Sequence, residues 1–277
     1  MPELPEVETV RRGLNQLTLN QGITGGDVLL QRTIAYPFST EEFIENLKTS
    51  AIKSWHRRGK YLLAELSSSS WLGVHLRMTG QLLWLNQDQP LHKHTRVRLF
   101  FGEKQELRFV DQRTFGQMWY VPGNVPVESI ITGLAKLAVD PFSPEFTVEY
   151  LANKLQKSRR PIKTALLDQS IVAGLGNIYA DEALFKSGIL PTTICTELDQ
   201  KQIAPLRTAI IDVLSASIAV GGTTFSNFLN VKGVNGNYGG EAWVYNRAGE
   251  PCKVCGNVIQ RIKLGGRSSH FCDQCQS

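Results

Sequence analysis

The chain closes on Cys252-Lys-Val-Cys255-Gly-Asn-Val-Ile-Gln-Arg-Ile-Lys-Leu-Gly-Gly-Arg-Ser-Ser-His-Phe-Cys272-Asp-Gln-Cys275, and this stretch decides how its last domain is built. Two Cys-x2-Cys pairs sixteen residues apart have the spacing of a zinc ribbon, in which two short turns face each other across one metal ion. Val258-Ile259 and the Gly265-Gly266 turn supply the connecting hairpin. One structural Zn2+ held by Cys252, Cys255, Cys272 and Cys275 is the expected cofactor. A pair of disulfides is the competing reading, which a chain without an export signal disfavours. Catalytic zinc is disfavoured because four thiolates close the coordination sphere. Cys195 stands alone and reads as a buried or idle thiol.

Upstream of the ribbon the pattern is helical, with expected segments Thr147–Lys157, Pro161–Asp168, Asn177–Ser187 and Asp199–Val220, and with Gly188 and Gly221 as stop signals. Ala173-Gly174-Leu175-Gly176-Asn177 is a Gly-rich turn feeding a helix start, where amides and dipole can hold a phosphate. On its own it reads first as a tight interhelical turn. Gly233 to Gly240 reads as a loop before the zinc hairpin. Before the helices, Tyr61–Leu66, Leu72–Leu76, Leu82–Leu85, Arg96–Phe101, Leu107–Val110 and Gln117–Val121 have the alternation of short strands in a β-sandwich or barrel. The Pro-rich passage Pro122 to Pro144 reads as the link between domains.

With 277 residues, 42% of them apolar, the chain can bury a substantial core and form two domains. No uninterrupted apolar run reaches membrane-spanning length, and the acidic, Pro-containing start lacks the regions of a signal peptide. The cytoplasm is the expected location. A net charge of +5 permits a polyanionic partner without requiring one.

The chain opens Met1-Pro2-Glu3-Leu4-Pro5-Glu6-Val7-Glu8. Removal of Met1, which a small second residue favours, would leave a secondary amine at the head of the chain. Such an α-amino group titrates near ~8, so Pro2 is a candidate nucleophile at neutral pH. Leu4, Val7, Val10, Leu14 and Leu17 recur at helical spacing with Pro5 in the first turn. Glu3 and Glu6 would then share one face beside the amine and could handle protons. Read as an octapeptide alone, the same residues are equally an ordinary acidic helix start.

Taken in order, these features resemble bacterial formamidopyrimidine-DNA glycosylase. The resemblance rests on Met1-Pro-Glu-Leu-Pro-Glu-Val-Glu-Thr9, Arg58-Gly-Lys-Tyr-Leu62, His75-Leu-Arg-Met-Thr-Gly80, Asp111-Gln-Arg-Thr-Phe-Gly116, Gly174-Leu-Gly-Asn-Ile-Tyr-Ala180 and the Cys252–Cys275 hairpin. It covers nearly the whole chain. It implies an α+β fold: an N-terminal β-sandwich with its leading helix (1–135), a helix-two-turn-helix domain (136–228), then a lesion loop and zinc-finger hairpin (229–277). The implied activity is excision of oxidised purines such as 8-oxoguanine and formamidopyrimidines, followed by strand cleavage at the abasic site.

The resemblance also assigns roles. Pro2 attacks the sugar C1′ and forms a Schiff base, Glu3 donates a proton to the departing base, Glu6 supports the site and Lys60 assists β-elimination. Arg267 serves the phosphate beside the lesion and δ-elimination. Met78, Arg113 and Phe115 fill the space left by a flipped nucleotide. His75, His94, Arg159, Lys163 and Asn177 match positions that contact, or lie near, phosphates or the lesion. Taken singly, Met78 and Phe115 read as core, and a lone histidine reads as structural. Two motifs depart from the family pattern: Arg77 stands where glycine is frequent, and Gln112 and Thr114 replace the usual Pro and Arg. The expected partner is double-stranded DNA carrying oxidised bases or abasic sites, bound by a monomer without a membrane.

Two alternatives remain at this level. Endonuclease VIII, a sister enzyme acting on oxidised pyrimidines, has the same architecture but a start that departs from Pro-Glu-Leu-Pro-Glu-Val-Glu. A noncatalytic damaged-DNA-binding protein would keep the zinc hairpin but has no need of both Pro2 and Glu3. A zinc-dependent hydrolase fits less well than either.

Overall fold

The computed structural model describes residues 1–223 and 229–277, and the described chain forms two compact units. The first comprises Met1–Ala135 and Val220–Asn237; the second comprises Lys136–Ala219 and Tyr238–Ser277. Residues 229–237, grouped by sequence with the hairpin, thus cluster with the first unit. The expected boundary at 228 lies outside the described residues.

In the first unit, helix α1 (Leu4–Leu17) turns Leu4, Val7, Val10 and Leu14 into the core, and Pro5 sits in its first turn where a missing N–H costs nothing. Strands β1 (Ile23–Val28) and β2 (Ile34–Tyr36) follow, then α2 (Thr40–Leu47), capped by the Ser39 hydroxyl accepting from the Glu42 N–H. Next come β3 (Ile52–Arg58), β4 (Tyr61–Leu66), β5 (Trp71–His75), β6 (Gly80–Asn86), β7 (Thr95–Phe101), β8 (Gln105–Asp111) and β9 (Gln117–Val121), and then the single turn α3 (Val127–Ile130). One sheet runs β1-β7-β8-β6; the other runs β2-β9-β5-β4-β3, with β2 parallel to β9. A continuous apolar cluster joins α1 (Val7, Leu14) to both sheets through Trp55, Leu62, Phe109 and Met118. The buried Trp55 Nε1 donates to Thr18 Oγ1 at 2.9 Å, so the ring keeps its polar atom satisfied at the end of α1.

Of the strands, β1, β2 and β3 and the helix α2 are absent from the sequence reading. In β1, Gly26 has no side chain because a Cβ there would meet the Arg98 carbonyl at 2.4 Å; its glycines hide the strand period. In β3, Lys53, His56, Arg57 and Arg58 mask a face on which Ile52 and Trp55 are buried.

In the second unit, α4 (Val148–Leu155), α5 (Ile162–Leu166), α6 (Asn177–Ser187) and α7 (Gln200–Ala219) precede a hairpin of β10 (Gln260–Leu264) and β11 (Arg267–Phe271). Every residue from Ile178 to Phe185 is buried, so α6 is the central helix, and it ends at Gly188 in the left-handed conformation (φ +72°). Helix α7 is long and apolar enough to cross a membrane by composition alone. Its Ile203, Leu206, Ile210 and Leu214 are instead buried in a unit where it packs on α6 and α4. A second small core under the hairpin joins Phe185 and Val244 to Ile259, Cys252 and Cys272.

Candidate active site

The first unit holds a cavity of about 500 Å3 lined by residues that include Pro2, Met78, Lys93, His94 and Asn235. Pro2 lies on its wall immediately before Glu3, the N-cap of α1. Glu6 is fully buried: its Oε2 accepts the Glu3 N–H at 2.8 Å and its Oε1 accepts the Thr223 N–H at 2.9 Å. A carboxylate that receives N–H donors on both oxygens at a helix N-terminus is held in one orientation. Gly222, at φ +86°, brings its backbone against that carboxylate, where a Cβ would lie 3.0 Å from Oε1.

Lys60 occupies the turn between β3 and β4 and is 7% exposed. Its charge contributes to the state of His75, which burial first, then Arg77 and Lys60, push down to a pKa of about 3. The His75 Nδ1 accepts the Arg77 N–H at 3.0 Å, so the neutral ring carries its proton on Nε2. His75 therefore offers a neutral donor rather than a charge. His94 lines the cavity; partial desolvation, then the charges of Lys93 and Arg96, hold it below the usual histidine value. Met78 is half-buried on the cavity wall, while Phe115 is 52% exposed with the Arg113 guanidinium 5.1 Å over its ring. Arg77 adopts φ +53°, a left-handed conformation that explains why glycine suits this position in related motifs.

The second unit carries the remaining candidates. Lys163, expected to contact or lie near DNA phosphates or the lesion, is fully buried: its ammonium pairs with Asp181 Oδ1 and donates to the Asn177 carbonyl at 3.2 Å. A buried, paired ammonium fixes the start of α6 through Asp181 and the Asn177 carbonyl. The same Asp181 accepts the His270 backbone N–H at 3.0 Å and the ring Nδ1 at 3.0 Å through Oδ2. Glu182 accepts three successive backbone N–H groups, from Trp243 at 2.8 Å, Val244 at 3.0 Å and Tyr245 at 2.8 Å. Burial raises its pKa, and those N–H groups counter the rise. Adjacent carboxylates of α6 thus clamp two separate segments, strand β11 and the 243–245 loop, and sequence reasoning missed both, although two acids inside an otherwise buried helix were a legible signal. Asn177 opens α6 with its Oδ1 buried and without a hydrogen-bond partner among the described residues. Arg159 is exposed after α4.

Arg267 starts β11, exposed, across from Leu264 at the hairpin tip. Gly265 (φ +54°) and Gly266 (φ +78°) make that tip, a two-residue turn that needs positive φ at both positions. At the other end the four cysteine sulfurs lie within 4.8 Å of one another, Cys252 to Cys275 at 3.9 Å and Cys255 to Cys272 at 3.4 Å. A tetrahedral zinc with sulfurs at ~2.3 Å needs sulfur separations of about 3.8 Å. The four donors fit one structural zinc ion.

The chain matches three family models in order: the formamidopyrimidine-DNA glycosylase N-terminal domain over residues 1–118, the formamidopyrimidine-DNA glycosylase H2TH domain over 137–228, and a zinc finger found in FPG and IleRS over 249–277. The chain belongs to the formamidopyrimidine-DNA glycosylase family. It is 81% identical over 282 residues to a formamidopyrimidine-DNA glycosylase of a Nostoc species and 80% identical over 276 residues to that of Trichormus variabilis, with both chains covered in full. Among solved structures it is similar to the Lactococcus lactis Fpg in complex with DNA containing an abasic site, at a TM-score of 0.91 and 35% identity over 99% of each chain. A complex of the same protein with N7-benzyl-Fapy-dG DNA matches at 0.91 and 36% identity over both full chains. The α+β architecture of this family, a β-sandwich with its leading helix followed by a helix-two-turn-helix and a four-cysteine finger, is the one described above.

Proposed function

We propose that this glycosylase excises oxidised purines, 8-oxoguanine and formamidopyrimidines, from double-stranded DNA and then cleaves the strand by β,δ-elimination. The carrying observation is Pro2 on the wall of a cavity, directly before a buried pair of carboxylates on the same helix start. Once Met1 is removed, the Pro2 nitrogen attacks C1′ of the damaged nucleotide. The glycosidic bond breaks, its electron pair leaves with the base, and Glu3 supplies the proton that the base takes. The C1′–O4′ bond then breaks with its electron pair going to O4′, which takes up the proton that Pro2 gives up on attack, and the nitrogen lone pair closes an iminium between Pro2 and C1′. Loss of a C2′ proton then expels the 3′ phosphate, with Lys60 assisting; Arg267 serves the second, δ-elimination. Met78, Arg113 and Phe115 occupy the gap left by the extruded nucleotide, offsetting an unstacking cost of a few kcal/mol. His75, His94, Arg159 and Asn177 supply contacts to the DNA. Binding follows phosphate neutralisation and is salt-dependent. A monomer acting on the chromosome in the cytoplasm is the setting that this chemistry suits.

Sodium borohydride reduction of the protein mixed with an 8-oxoguanine·C duplex tests the reading. An adduct mapped to Pro2 by mass spectrometry is the expected result. Protein lacking Met1 that traps neither this duplex nor an abasic one would overturn it. Thymine glycol turned over in place of 8-oxoguanine would move the substrate to oxidised pyrimidines.

A further inference from the structure

We infer that Thr79 and Asp111 form a latch that couples the Met78 loop to the Arg113–Phe115 loop, so that the three gap-filling side chains work as one unit. The inference rests on the DNA reading above and adds two positioning residues to it.

Asp111 ends β8 and is 1% exposed. Its Oδ2 accepts the Gly116 N–H at 2.7 Å, and its Oδ1 accepts the Arg113 N–H at 3.2 Å and the Thr79 hydroxyl. Thr79 Oγ1 in turn accepts the Arg113 N–H at 2.9 Å. One carboxylate and one hydroxyl therefore fasten both ends of the 112–116 turn and tie it to the residue that follows Met78. The backbone of Asp111 reaches a third contributor: its N–H donates to the His94 carbonyl at 2.9 Å, and its own carbonyl accepts Arg96 Nε at 2.8 Å.

Glycine requirements agree with a tight junction. A Cβ at Gly116 would strike Phe109 at 2.4 Å, and one at Gly80 would strike the Leu76 carbonyl at 2.4 Å. Each loop also holds a non-glycine residue in the left-handed region, Arg77 at φ +53° and Thr114 at φ +58°, conformations that persist when surrounding bonds over-determine them. A side chain on a loop fastened in this way cannot retreat without breaking the charge-assisted Thr79–Asp111 bond and the Arg113–Thr79 bond shared with the other loop.

The test is a set of single-turnover excision measurements on an 8-oxoguanine·C duplex. Met78→Ala, Phe115→Ala and the double variant are compared in three backgrounds: Thr79, Thr79→Val and Thr79→Ser. With Thr79 in place each single variant slows excision about tenfold and the double is slowed little further, as expected of residues acting as a unit. In Thr79→Val the two effects multiply towards about a hundredfold; in Thr79→Ser, which keeps the hydroxyl, non-additivity returns. Multiplying effects in the Thr79 background, or non-additivity that survives Thr79→Val, would overturn the latch. The first of these outcomes needs no Thr79 variant to fold, and Thr79→Ala replaces Thr79→Val if that one does not. A wild-type protein unable to cut the duplex would instead remove the functional reading itself, whereas normal cutting with multiplying effects would remove the latch alone.

Discussion

The Glu6 carboxylate accepts the backbone N–H of Thr223 at 2.9 Å, a bond that joins residues 217 positions apart in the first unit. Its other oxygen accepts from Glu3, so one buried side chain sets both the start of α1 and the turn at Gly222-Thr223. Glu6→Gln places an amide NH2 against one of these two N–H donors. The expected cost is about 2 kcal/mol, the penalty for a buried donor left unsatisfied. Borohydride trapping should slow more than DNA binding weakens. Urea unfolding and trapping rates on the same preparation check both; trapping unchanged in a destabilised variant would confine Glu6 to stability.

His75 makes stability depend on acidity. Its pKa falls from 6.5 to about 3 on folding, so the unfolded chain binds more protons than the native one between those values, and stability rises with pH there. The contribution is complete above 6.5 and is lost as pH falls. Glu8 is desolvated, but its hydrogen bonds to Arg11 and Arg12 and the charge of Arg57 prevail, lowering its pKa from 4.5 to about 2. Its contribution is present above 4.5 and disappears only below it. Between pH 4.5 and 6.5 His75 is therefore the term to isolate from Glu8. Urea midpoints measured across that window should fall more steeply with acidity in wild type than in His75→Gln, which keeps an acceptor for the Arg77 N–H.

Lys163 and Arg159 should separate cleanly. Lys163→Met leaves the buried Asp181 without its ammonium and should cost about 3–5 kcal/mol, part of which Asp181→Asn restores in the double variant. Arg159→Ala, at an exposed position, should leave stability unchanged while lowering the salt slope of DNA binding by about 1. Thermal melts and binding isotherms across salt concentrations report the two quantities separately. A stable Lys163→Met protein with a reduced salt slope would return Lys163 to the DNA surface.

Removing zinc should release the hairpin. Cys252 and Cys272 belong to the small core with Phe185, Val244 and Ile259, so loss of the metal also loosens the packing under Arg267's strand. Chelation, with metal release followed by a colorimetric indicator, should abolish duplex binding. Full binding by protein verified as zinc-free would contradict the structural role.

Much of the site was legible because its chemistry is carried by adjacent residues. Pro2 beside Glu3, the two Cys-x2-Cys pairs and the Gly265-Gly266 turn each declare a local requirement, and the structure answers them with a helix start, a clustered thiolate set and a hairpin tip. Lys163 shows where that reasoning stops. Nothing in Pro161-Ile162-Lys163-Thr164 says that the ammonium will point at Asp181 rather than at solvent, since the carboxylate arrives from a different helix. Thr79 and Asp111 were passed over for the same reason, whereas Asp181 and Glu182 left a signal, two acids in the buried run of α6.

By itself, the sequence determined the metal site and the candidate nucleophile, because each depends on residue type at short spacing, and the order of its motifs carried the resemblance that implies the fold. Only the tertiary structure decided which charged groups are buried and what they hold: Glu6 on Thr223, Asp111 on the 112–116 turn, and Asp181 on both Lys163 and β11. A side chain's ionisation and reach are set by the donors and dielectric that distant segments bring to it, and those exist only once the chain has packed.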